Sequence, residues 1–278
     1  MKLGGCVVLY NPGRDVISNI ASYLPFLEKL VVVDNSKLRL PIVDEIASIP
    51  IVEVISMGGN KGIASALNAG CRRLIEEGFT CALTMDQDSV FPLECAQEIL
   101  GQIERHLVRY SLVGLNFNSE QGTDPTEIVE TRYWLTSGNF IDLKAFEVVG
   151  GFNEALFIDY VDIEFGHRLM QAGLKECYLK NFSLRHSIGD PIEIRLAGKT
   201  FYAMNHSPIR YYYRYRNSRY LHGLDRAFYR SKYLRELFIN IPKMLLFERE
   251  RAAKLKMIRR GLMDGRAGVL GPYEEIAS

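Results

Sequence analysis

Short apolar runs alternate with helix-spaced apolar residues over the first 90 residues of the chain. Runs of strand length occur at residues 3–10, 30–33, 51–55 and 79–85, and polar or turn-forming residues follow each run. Helical spacing between the runs is shown by Val16, Ile20, Leu24 and Leu27, and again by Ile63, Leu67, Cys71, Leu74 and Ile75. Strands that alternate with helices predict parallel βαβ units and a doubly wound sheet.

The pattern changes in the middle of the chain. It predicts strands at residues 112–117, 128–135, 140–143 and 174–184, and helices at 144–149 and 157–172. A polar loop, residues 118–126, joins the first two of these strands. Aromatic and basic residues dominate from residue 205, and helical segments follow to about residue 261. We therefore predict an α/β domain over residues 1–205 and a basic, mainly helical C-terminal segment over residues 206–278.

Composition indicates a soluble globular protein, with 47% hydrophobic and 24% charged residues. The net charge is only +1, but residues 209–260 contain 15 Lys or Arg against 4 Asp or Glu. Such asymmetry indicates an anionic surface as the partner of the basic end. The segment from Tyr229 to Arg260 also has apolar clusters, so it either lies on anionic lipid or packs as a helical appendage on the body.

The five cysteines form no CxxC pair and lie mostly in apolar runs, which is typical of reduced core thiols in a cytosolic protein. We find no signal-peptide pattern and no apolar run long enough to cross a bilayer. These features predict a cytoplasmic protein, with peripheral contact at the inner face of the cytoplasmic membrane as the alternative.

Candidate chemistry begins with Asp86 and Asp88, which directly follow the fourth apolar run. Residues i and i+2 at a strand end point to the same side, so the two carboxylates can converge beyond the sheet edge, where ligands bind in open α/β sheets. A Mg²⁺ or Mn²⁺ ion that carries phosphate oxygens fits such a pair. The alternative is an acidic turn that caps the helix near Pro92.

Several other signatures are absent from the sequence. No GxGxxG follows the first strand, and no GxSxG occurs. The stretch Ala197–Thr200 imitates the end of a P-loop, but Glu193 occupies the position of its first glycine. A dinucleotide dehydrogenase, an α/β hydrolase and a P-loop NTPase are therefore disfavoured.

Eight segments, one of which contains Asp86 and Asp88, occur in a characteristic order: VVLYN (7–11), VVDNS (32–36), GNKGIASALNAG (59–70), TMDQDS (84–89), TSGNFIDLKAFEVVGGFNE (136–154), LFIDYVDIEFGHRLMQAGLK (156–175), LRHSIGD (184–190) and RYYYRYRNS (210–218). With these segments the chain resembles the family 2 inverting glycosyltransferases of GT-A fold, and among them the bacterial rhamnosyltransferases. The resemblance covers residues 3 to about 220. It implies a mixed, mainly parallel sheet with helices on both faces, followed by a C-terminal helical appendage.

The resemblance also implies a site for a nucleoside-diphosphate sugar. Its residues would be Tyr10, Asn11, Asp34, Asn60, Lys61, Gly62, Asp86, Gln87, Ser137, Gly138, Arg214 and Arg216. Asp34 would accept the N3–H of uracil or thymine, unless it only forms an Asx turn after its strand. Gly62 would let the backbone approach the nucleotide at a helix N-terminus. Arg214 and Arg216 would close over the diphosphate, or they belong to a basic surface helix.

For the metal, the resemblance implies Mg²⁺ or Mn²⁺ held by Asp88, with Asp86 and His186 as further ligands. The ion would neutralise the diphosphate leaving group. A lone histidine at a strand end is, in general, as readily a structural residue.

Inversion requires a base that takes the proton of the acceptor hydroxyl. The family places an acidic pair about six residues before an arginine on a helix, and counting back from Arg168 gives Asp162. Asp159, expected one helical turn earlier, is the alternative base or orients the acceptor, and Glu164 is expected to pair with Arg168. Val161 departs from the usual Glu-Asp pair. Alternatively, all three acids only complement a helix dipole.

The sequence thus predicts a metal-dependent inverting glycosyltransferase that moves a sugar, L-rhamnose from dTDP-L-rhamnose, onto a saccharide or lipid-linked acceptor of bacterial surface polysaccharide synthesis. The alternatives are a UDP-sugar glucosyl- or galactosyltransferase of the same family, and a catalytically silent sugar- or membrane-binding module. A nucleic-acid partner is not expected. A sugar-nucleotide pyrophosphorylase is disfavoured because residues 10–12 form no Gly-rich, Arg-containing loop.

Overall fold

The computed structural model describes residues 1–117, 124, 126–186, 192–196 and 199–274. The chain divides into two compact units. The first contains Met1–Glu154 and Val161–Ser187, and the second contains Ala155–Tyr160 and Ile188–Ser278. By this division, residues 199–205 and the short segment 155–160 belong with the C-terminal helices. The predicted polar loop lies mostly outside the described residues.

The first unit is built on a mixed sheet. Its strands are β1 (Leu3–Leu9), β2 (Lys29–Asp34), β3 (Val52–Ser56), β4 (Cys81–Asp86), β5 (Ser89–Val90), β6 (Leu112–Asn116), β7 (Ile128–Thr131), β8 (Asn139–Asp142), β9 (Glu176–Ser183) and β10 (Arg185–His186). Within the described residues, eight of them form one sheet in the order β3-β2-β1-β4-β8-β6-β9-β7. Strands β1 to β4 are parallel, as are β6 and β9, whereas β8 runs antiparallel to both its neighbours and β7 to β9.

Helices cover both faces of this sheet, as predicted. They are α1 (Asp15–Ala21), α2 (Pro41–Ala47), α3 (Ile63–Glu76), α4 (Ala96–Leu107), α5 (Leu143–Val148) and α6 (Val161–Gln171). Val7 of β1 joins the core cluster that contains Ile20 and Ile46. The next residue towards the N-terminus, Cys6, points to the opposite face, where a Cβ on Gly70 of α3 would collide with its sulfur. Alternation along β1 thus places α3 on one face and α1 and α2 on the other.

The second unit is mainly helical. It has a hairpin of β11 (Ile192–Leu196) and β12 (Lys199–Ala203), then α7 (Pro208–Leu224), α8 (Arg226–Arg235), a π-helical turn (Glu236–Asn240), α9 (Ile241–Phe247) and α10 (Arg251–Ala267). Gly261 and Gly265 lie on one face of α10, four residues apart, and each lies against the main chain of α7. None of the described helices is long and apolar enough to cross a membrane.

Several predicted boundaries are wrong for local reasons. The helix expected from Phe157 begins at Val161, because Phe157, Asp159 and Tyr160 have left-handed backbone with φ of 65°, 63° and 67°. Asp159 therefore lies in the segment that precedes α6 and not one helical turn before Asp162. The strand expected to reach residue 135 ends at Thr131. Helix α1 ends at Ala21, a few residues before Pro25.

Candidate active site

Three strand ends bring together the polar residues that follow β1, β2 and β4. In the sheet register Leu9 of β1 lies beside Asp34 of β2, and Val8 lies beside Asp86 of β4. The two aspartates therefore flank β1 from opposite sides. Because neighbouring strands are about 4.8 Å apart, the Cα atoms of Asp34 and Asp86 are separated by about 10 Å. Both lie at the carboxyl edge of the parallel strands, where ligands bind in open α/β sheets.

Hydrogen bonds fix the loops at this edge. The Tyr10 N–H donates to Gln87 Oε1 at 2.8 Å, and the Asn11 N–H donates to Ser36 Oγ at 2.8 Å. The Ser36 N–H in turn donates to Asp34 Oδ1 at 3.0 Å, so the Asx turn that the sequence offered as an alternative is present. Asp34 is 1% exposed. A contact between its carboxylate and a nucleobase therefore requires the surrounding side chains to move aside.

Asn35 links the end of β2 to the start of α3. Its Oδ1 accepts the Lys61 N–H at 2.8 Å, and its Nδ2 lies 3.2 Å from both Asn60 Oδ1 and the Gly62 carbonyl. Gly62 precedes the helix with φ of 88°, a conformation that favours glycine. Among the described residues no side chain caps this helix, so the N–H groups of its first turn face the loop. The side chains of Asn60 and Lys61 are exposed.

A small hydroxyl network holds the carboxylate pair. The Asp86 N–H donates to Ser137 Oγ at 3.0 Å, and Ser137 Oγ donates to Ser89 Oγ at 2.8 Å. Ser137 and Ser89 are buried, whereas Asp86 and Asp88 are half-buried. The neighbouring Gly138 has φ of 68°. Predicted residues from two separate segments thus meet at the end of β4.

These residues suit a divalent cation in part. Two carboxylates one residue apart supply hard oxygen donors, and Mg²⁺ usually needs only one or two of these besides phosphate oxygens. No group of three or more His, Cys, Asp or Glu that could hold a metal occurs among the side chains that the structure describes. The main chain of His186 pairs with that of Ser89 in the β10–β5 ladder, which places residue 186 beside this turn. Its imidazole lies outside the described part.

Asp162 lies in the first turn of α6 and is half-buried, with its Oδ1 accepting the Ile163 N–H at 2.9 Å. Glu164 makes a two-point ion pair with Arg168, whose Nε and Nη2 each lie 2.8 Å from a carboxylate oxygen. The predicted pairing of Glu164 with Arg168 is confirmed. Arg168 also donates to the carbonyl of Gly151 at 2.7 Å, so it anchors α6 to the turn after α5.

Within the first unit, the segment from residue 132 to 137 lies next to two acids, Asp86 at the end of β4 and Glu176 at the start of β9. Ser137 at its end holds Asp86, as described above. Trp134 stacks on Tyr178 of β9 with ring centroids 3.8 Å apart, and its indole N–H donates to the Leu115 carbonyl at 2.8 Å. The main-chain N–H of Trp134 lies near Glu176, a buried acid whose pKa is raised by burial and by the negative charge of Asp162. One face of the indole is therefore already covered by Tyr178.

In the second unit, Asp159 and the arginines have their own partners. Asp159 lies 3.3 Å from Arg210 Nε, and Arg214 makes a two-point pair with Glu236 at 2.8 and 2.9 Å. Arg216 is fully buried, and its guanidinium donates to the carbonyls of Leu156 and Gly271 and to Asn217 Oδ1. These contacts give Arg214 and Arg216 structural partners. Their predicted contact with the diphosphate stays a prediction.

Sequence reasoning missed several polar residues at these places: Asn35, Ser36, Ser89, Glu176, His206 and Arg210. Asn35 and Ser36 directly follow Asp34 in the motif VVDNS (32–36). Burial, together with the nearby Arg210, lowers the pKa of His206 to about 4, so this imidazole is neutral at pH 7. No local pattern singles out His206 or Glu176, because both are defined by what folds around them.

Comparison with known proteins identifies relatives of this chain. Residues 14–154 match the family described as Glycosyl transferase family 2. The dTDP-rhamnosyl transferase RfbF of Shigella flexneri is 30% identical over 233 residues, which are 76% of this chain and 77% of the relative.

Solved structures show the same fold at lower identity. GalNAc-T7, solved with UDP, GalNAc and Mn²⁺, matches with a TM-score of 0.62 at 11% identity, over 96% of this chain and 56% of the other. This chain thus spans little more than half the length of that protein. S. aureus TarS 1–349, solved in complex with UDP-GlcNAc, matches with a TM-score of 0.54 at 15% identity, over 96% of this chain and 73% of the other. The likeness confirms the predicted GT-A fold.

Proposed function

The chain belongs to glycosyl transferase family 2, and from this premise we propose that it transfers L-rhamnose from dTDP-L-rhamnose to a saccharide or lipid-linked acceptor. The reaction is metal-dependent and inverts the configuration at the anomeric carbon. It serves the synthesis of a bacterial surface polysaccharide. The dTDP-rhamnosyl transferase among its relatives supports the choice of donor.

One observation carries the proposal: the ends of β1, β2 and β4 and the start of α3 are tied into one polar edge. Asp34 and Asp86 flank β1 there, at the register positions given above. A nucleoside diphosphate has its base at one end and its phosphates at the other, so it can bridge such a pair of positions. We assign the nucleotide to this edge, with the base towards Asp34 and Asn35, and the diphosphate towards Asp86 and the first turn of α3. The remaining contacts would come from Tyr10, Asn11, Asn60, Lys61, Gly62, Gln87, Ser137 and Gly138.

Asp86 and Asp88 would hold the Mg²⁺ or Mn²⁺. When bound, the ion would supply Lewis-acid neutralisation of the charge that develops on the leaving diphosphate. Ser137 and Ser89 support this role because their hydroxyl network fixes the main chain of the carboxylate pair. We propose His186 as a third contact to the metal or diphosphate from the neighbouring β10.

Asp162 is the proposed base. It takes the proton of the acceptor hydroxyl as that oxygen attacks the anomeric carbon opposite the nucleotide. The new glycosidic bond forms while the bond to the diphosphate breaks, and the nucleoside diphosphate leaves with the electron pair. Asp162 lies half-buried in the first turn of α6, where its carboxylate would meet the acceptor hydroxyl. Asp159, the alternative base, is paired with Arg210 in this structure.

The test is calorimetric binding of dTDP-L-rhamnose, UDP-glucose and UDP-galactose, with and without Mn²⁺, to the wild type and to Asp88→Asn. We expect the dTDP sugar to bind most tightly, with an affinity that Mn²⁺ raises in the wild type and not in the variant. Asp44→Asn is the matched control, because Asp44 is an exposed acid on α2. It should bind as the wild type does.

Each alternative has its own outcome. Tighter binding of a UDP sugar would reassign the donor within the family. Binding without transfer to any saccharide acceptor and without metal-dependent hydrolysis would indicate a silent sugar-binding module. If donor binding still depended on the metal in Asp88→Asn, Asp88 would not be a metal ligand.

We further propose that the second unit contacts an anionic lipid surface. Residues 234–246 expose Leu234, Phe238, Ile239 and Leu246, with Phe238 72% exposed. The sole acid between residues 226 and 246 is Glu236, which is buried and paired with Arg214. The exposed charges of this run are therefore cationic. Apolar side chains among cations suit the boundary of an anionic membrane.

A further inference from the structure

Strand β9 begins with a buried carboxyl group to which the proposed reaction assigns no role. Glu176 is 3% exposed, and its main chain lies between Thr131 of β7 and Leu112 of β6. Its Oε1 has no hydrogen-bond partner among the described residues. A buried carboxyl oxygen without a partner is costly, so its retention calls for an explanation.

This carboxyl group lies against α6. A Cβ placed on Gly166 would be 2.5 Å from Glu176 Oε1 and 2.8 Å from the Arg132 carbonyl oxygen. Only glycine therefore fits at position 166 without a shift of the main chain. Asp162 stands four residues earlier, on the same face of the helix. The carboxyl group thus lies one helical turn from the proposed base.

The same carboxyl group also contacts the segment that forms the cavity wall. The main-chain N–H of Trp134 lies close enough to this carboxyl group to lower its pKa. Residues 130–135 line a cavity of about 570 Å³, and Glu176 itself lines a smaller one of about 90 Å³ that shares residues 130–132. Glu176 therefore lies between this cavity wall and the helix that carries Asp162.

The surroundings favour the uncharged form of Glu176. Burial, and secondly the charge of Asp162, raise its pKa to about 8, and the Trp134 N–H opposes them only in part. The other charged groups nearby are Glu130 and Arg132 on and after β7, and Lys175, which precedes Glu176. Glu130 is already engaged by Lys175 at 3.5 Å and by Arg109 at 3.7 Å. An uncharged carboxyl group has both a donor and an acceptor, so it can accept from Trp134 and donate towards α6.

We propose that Glu176 is a positioning residue for Asp162, whose carboxyl group joins the Trp134 main chain to the face of α6 that carries the base. This inference rests on the proposed function. Ionisation of Glu176 would place its negative charge beside that of Asp162 at one face of α6. It would also remove the carboxyl O–H that donates towards this helix. The transfer rate should then fall on the alkaline side, although Glu176 never touches the reacting atoms.

The test is the pH profile of kcat from about pH 6 to about pH 9.5 for the wild type, Glu176→Gln and Glu176→Ala. We expect the wild-type kcat to fall as the pH rises through about 8. Glutamine keeps the shape and stays uncharged, so this variant should keep kcat within about 3-fold at pH 7 and lose the alkaline fall. Alanine breaks the link and should lower kcat about 10- to 100-fold, with an unchanged KM for the donor. Glu130→Gln, the matched control on β7, should keep the alkaline fall.

An alkaline fall that persists at the same midpoint in Glu176→Gln would overturn the inference. Urea unfolding at several pH values supplies a readout that does not depend on transfer. A carboxyl group whose pKa is raised from 4.5 to about 8 binds more protons in the folded state, so its stability contribution falls between these values as the pH rises. The wild type should therefore lose stability relative to Glu176→Gln over this range. If the free energies of unfolding of the wild type and Glu176→Gln differ by the same amount at every pH, the inference is contradicted. If the wild type transfers no sugar, the proposed function is contradicted instead.

Discussion

Asp162 carries the most direct prediction at the scale of single residues. Asn keeps an oxygen that can accept the Ile163 N–H, as Asp162 does now, but it cannot take a proton. We expect Asp162→Asn to lower kcat about 10²- to 10⁴-fold. Donor affinity, measured by calorimetry, should stay within about 3-fold because the proposed nucleotide edge is built from other residues.

Glu147→Gln is the control for this substitution, since Glu147 is an exposed acid on the neighbouring helix α5. It should transfer at the wild-type rate. The thermal midpoint of Asp162→Asn should shift only slightly, because a single first-turn carboxylate contributes about 0.3–1 kcal/mol through the helix dipole. Near-normal transfer by Asp162→Asn would move the base to another residue, with Asp159 as the next candidate.

Single residues also show where sequence reasoning reaches its limit. The order of the motifs indicated Asp34, Asp86 and Ser137, and the structure brings these to one edge. The parallel strands β2 and β4 end on this side, and the antiparallel strand β8, which Ser137 precedes, begins here. Arg216 shows what the sequence does not indicate. Its contact with the diphosphate stays a prediction, whereas the burial of its guanidinium among main-chain carbonyls is visible only in the structure. Spacing along a chain specifies which residues share a helix face, and it does not specify what packs against that face.

At the scale of elements, helix α10 depends on two glycines for its approach to α7. A Cβ on Gly265 would collide with the Arg216 carbonyl oxygen, and main-chain atoms cannot rotate away. We expect Gly265→Ala to destabilise the second unit by about 1–3 kcal/mol. This loss would outweigh the helix propensity of alanine, which is about 1 kcal/mol more favourable than that of glycine. Urea unfolding followed by far-UV circular dichroism measures this change.

Gly223→Ala provides the comparison near the end of α7, because the nearest atom to its added Cβ is a flexible Arg219 nitrogen 3.5 Å away. This variant should be neutral or slightly stabilised. Equal stability of Gly265→Ala and Gly223→Ala would contradict this prediction. It would mean that α7 and α10 can move apart at little cost in free energy.

Elements were predictable where one hydrophobic period continued without interruption. The pattern located β1, β2, α3 and β4 to within about two residues. It failed for the start of α6, because the left-handed residues 157, 159 and 160 carry no signal in an apolar run. Asn217 explains their stability: its Nδ2 lies 2.8–2.9 Å from the carbonyls of residues 156, 158 and 159. A contact across some 60 residues is invisible to local periodicity.

At the scale of the whole molecule, the structure shows how the charged residues of the basic C-terminal region are arranged. Two of the four acids in residues 209–260 are buried in ion pairs: Glu236 pairs with Arg214, and Glu248 pairs with Lys254 at 2.8 Å. Composition alone gave the excess of cations. The structure adds that these acids are buried, and that large apolar side chains are exposed in the same run as the remaining cations.

This arrangement predicts that the full chain sediments with vesicles that contain phosphatidylglycerol and not with vesicles of phosphatidylcholine alone. Added salt should weaken the binding, because cations attract an anionic surface over about a Debye length. Phe238→Ala should lower the partition coefficient about 5-fold or more, since a buried aromatic side chain is worth about 1.5–3 kcal/mol. Leu38→Ala is the matched control, an exposed apolar residue of the first unit that is 74% exposed. An equal loss in both variants, or binding that ignores the lipid charge, would show that residues 234–246 are not the contact surface.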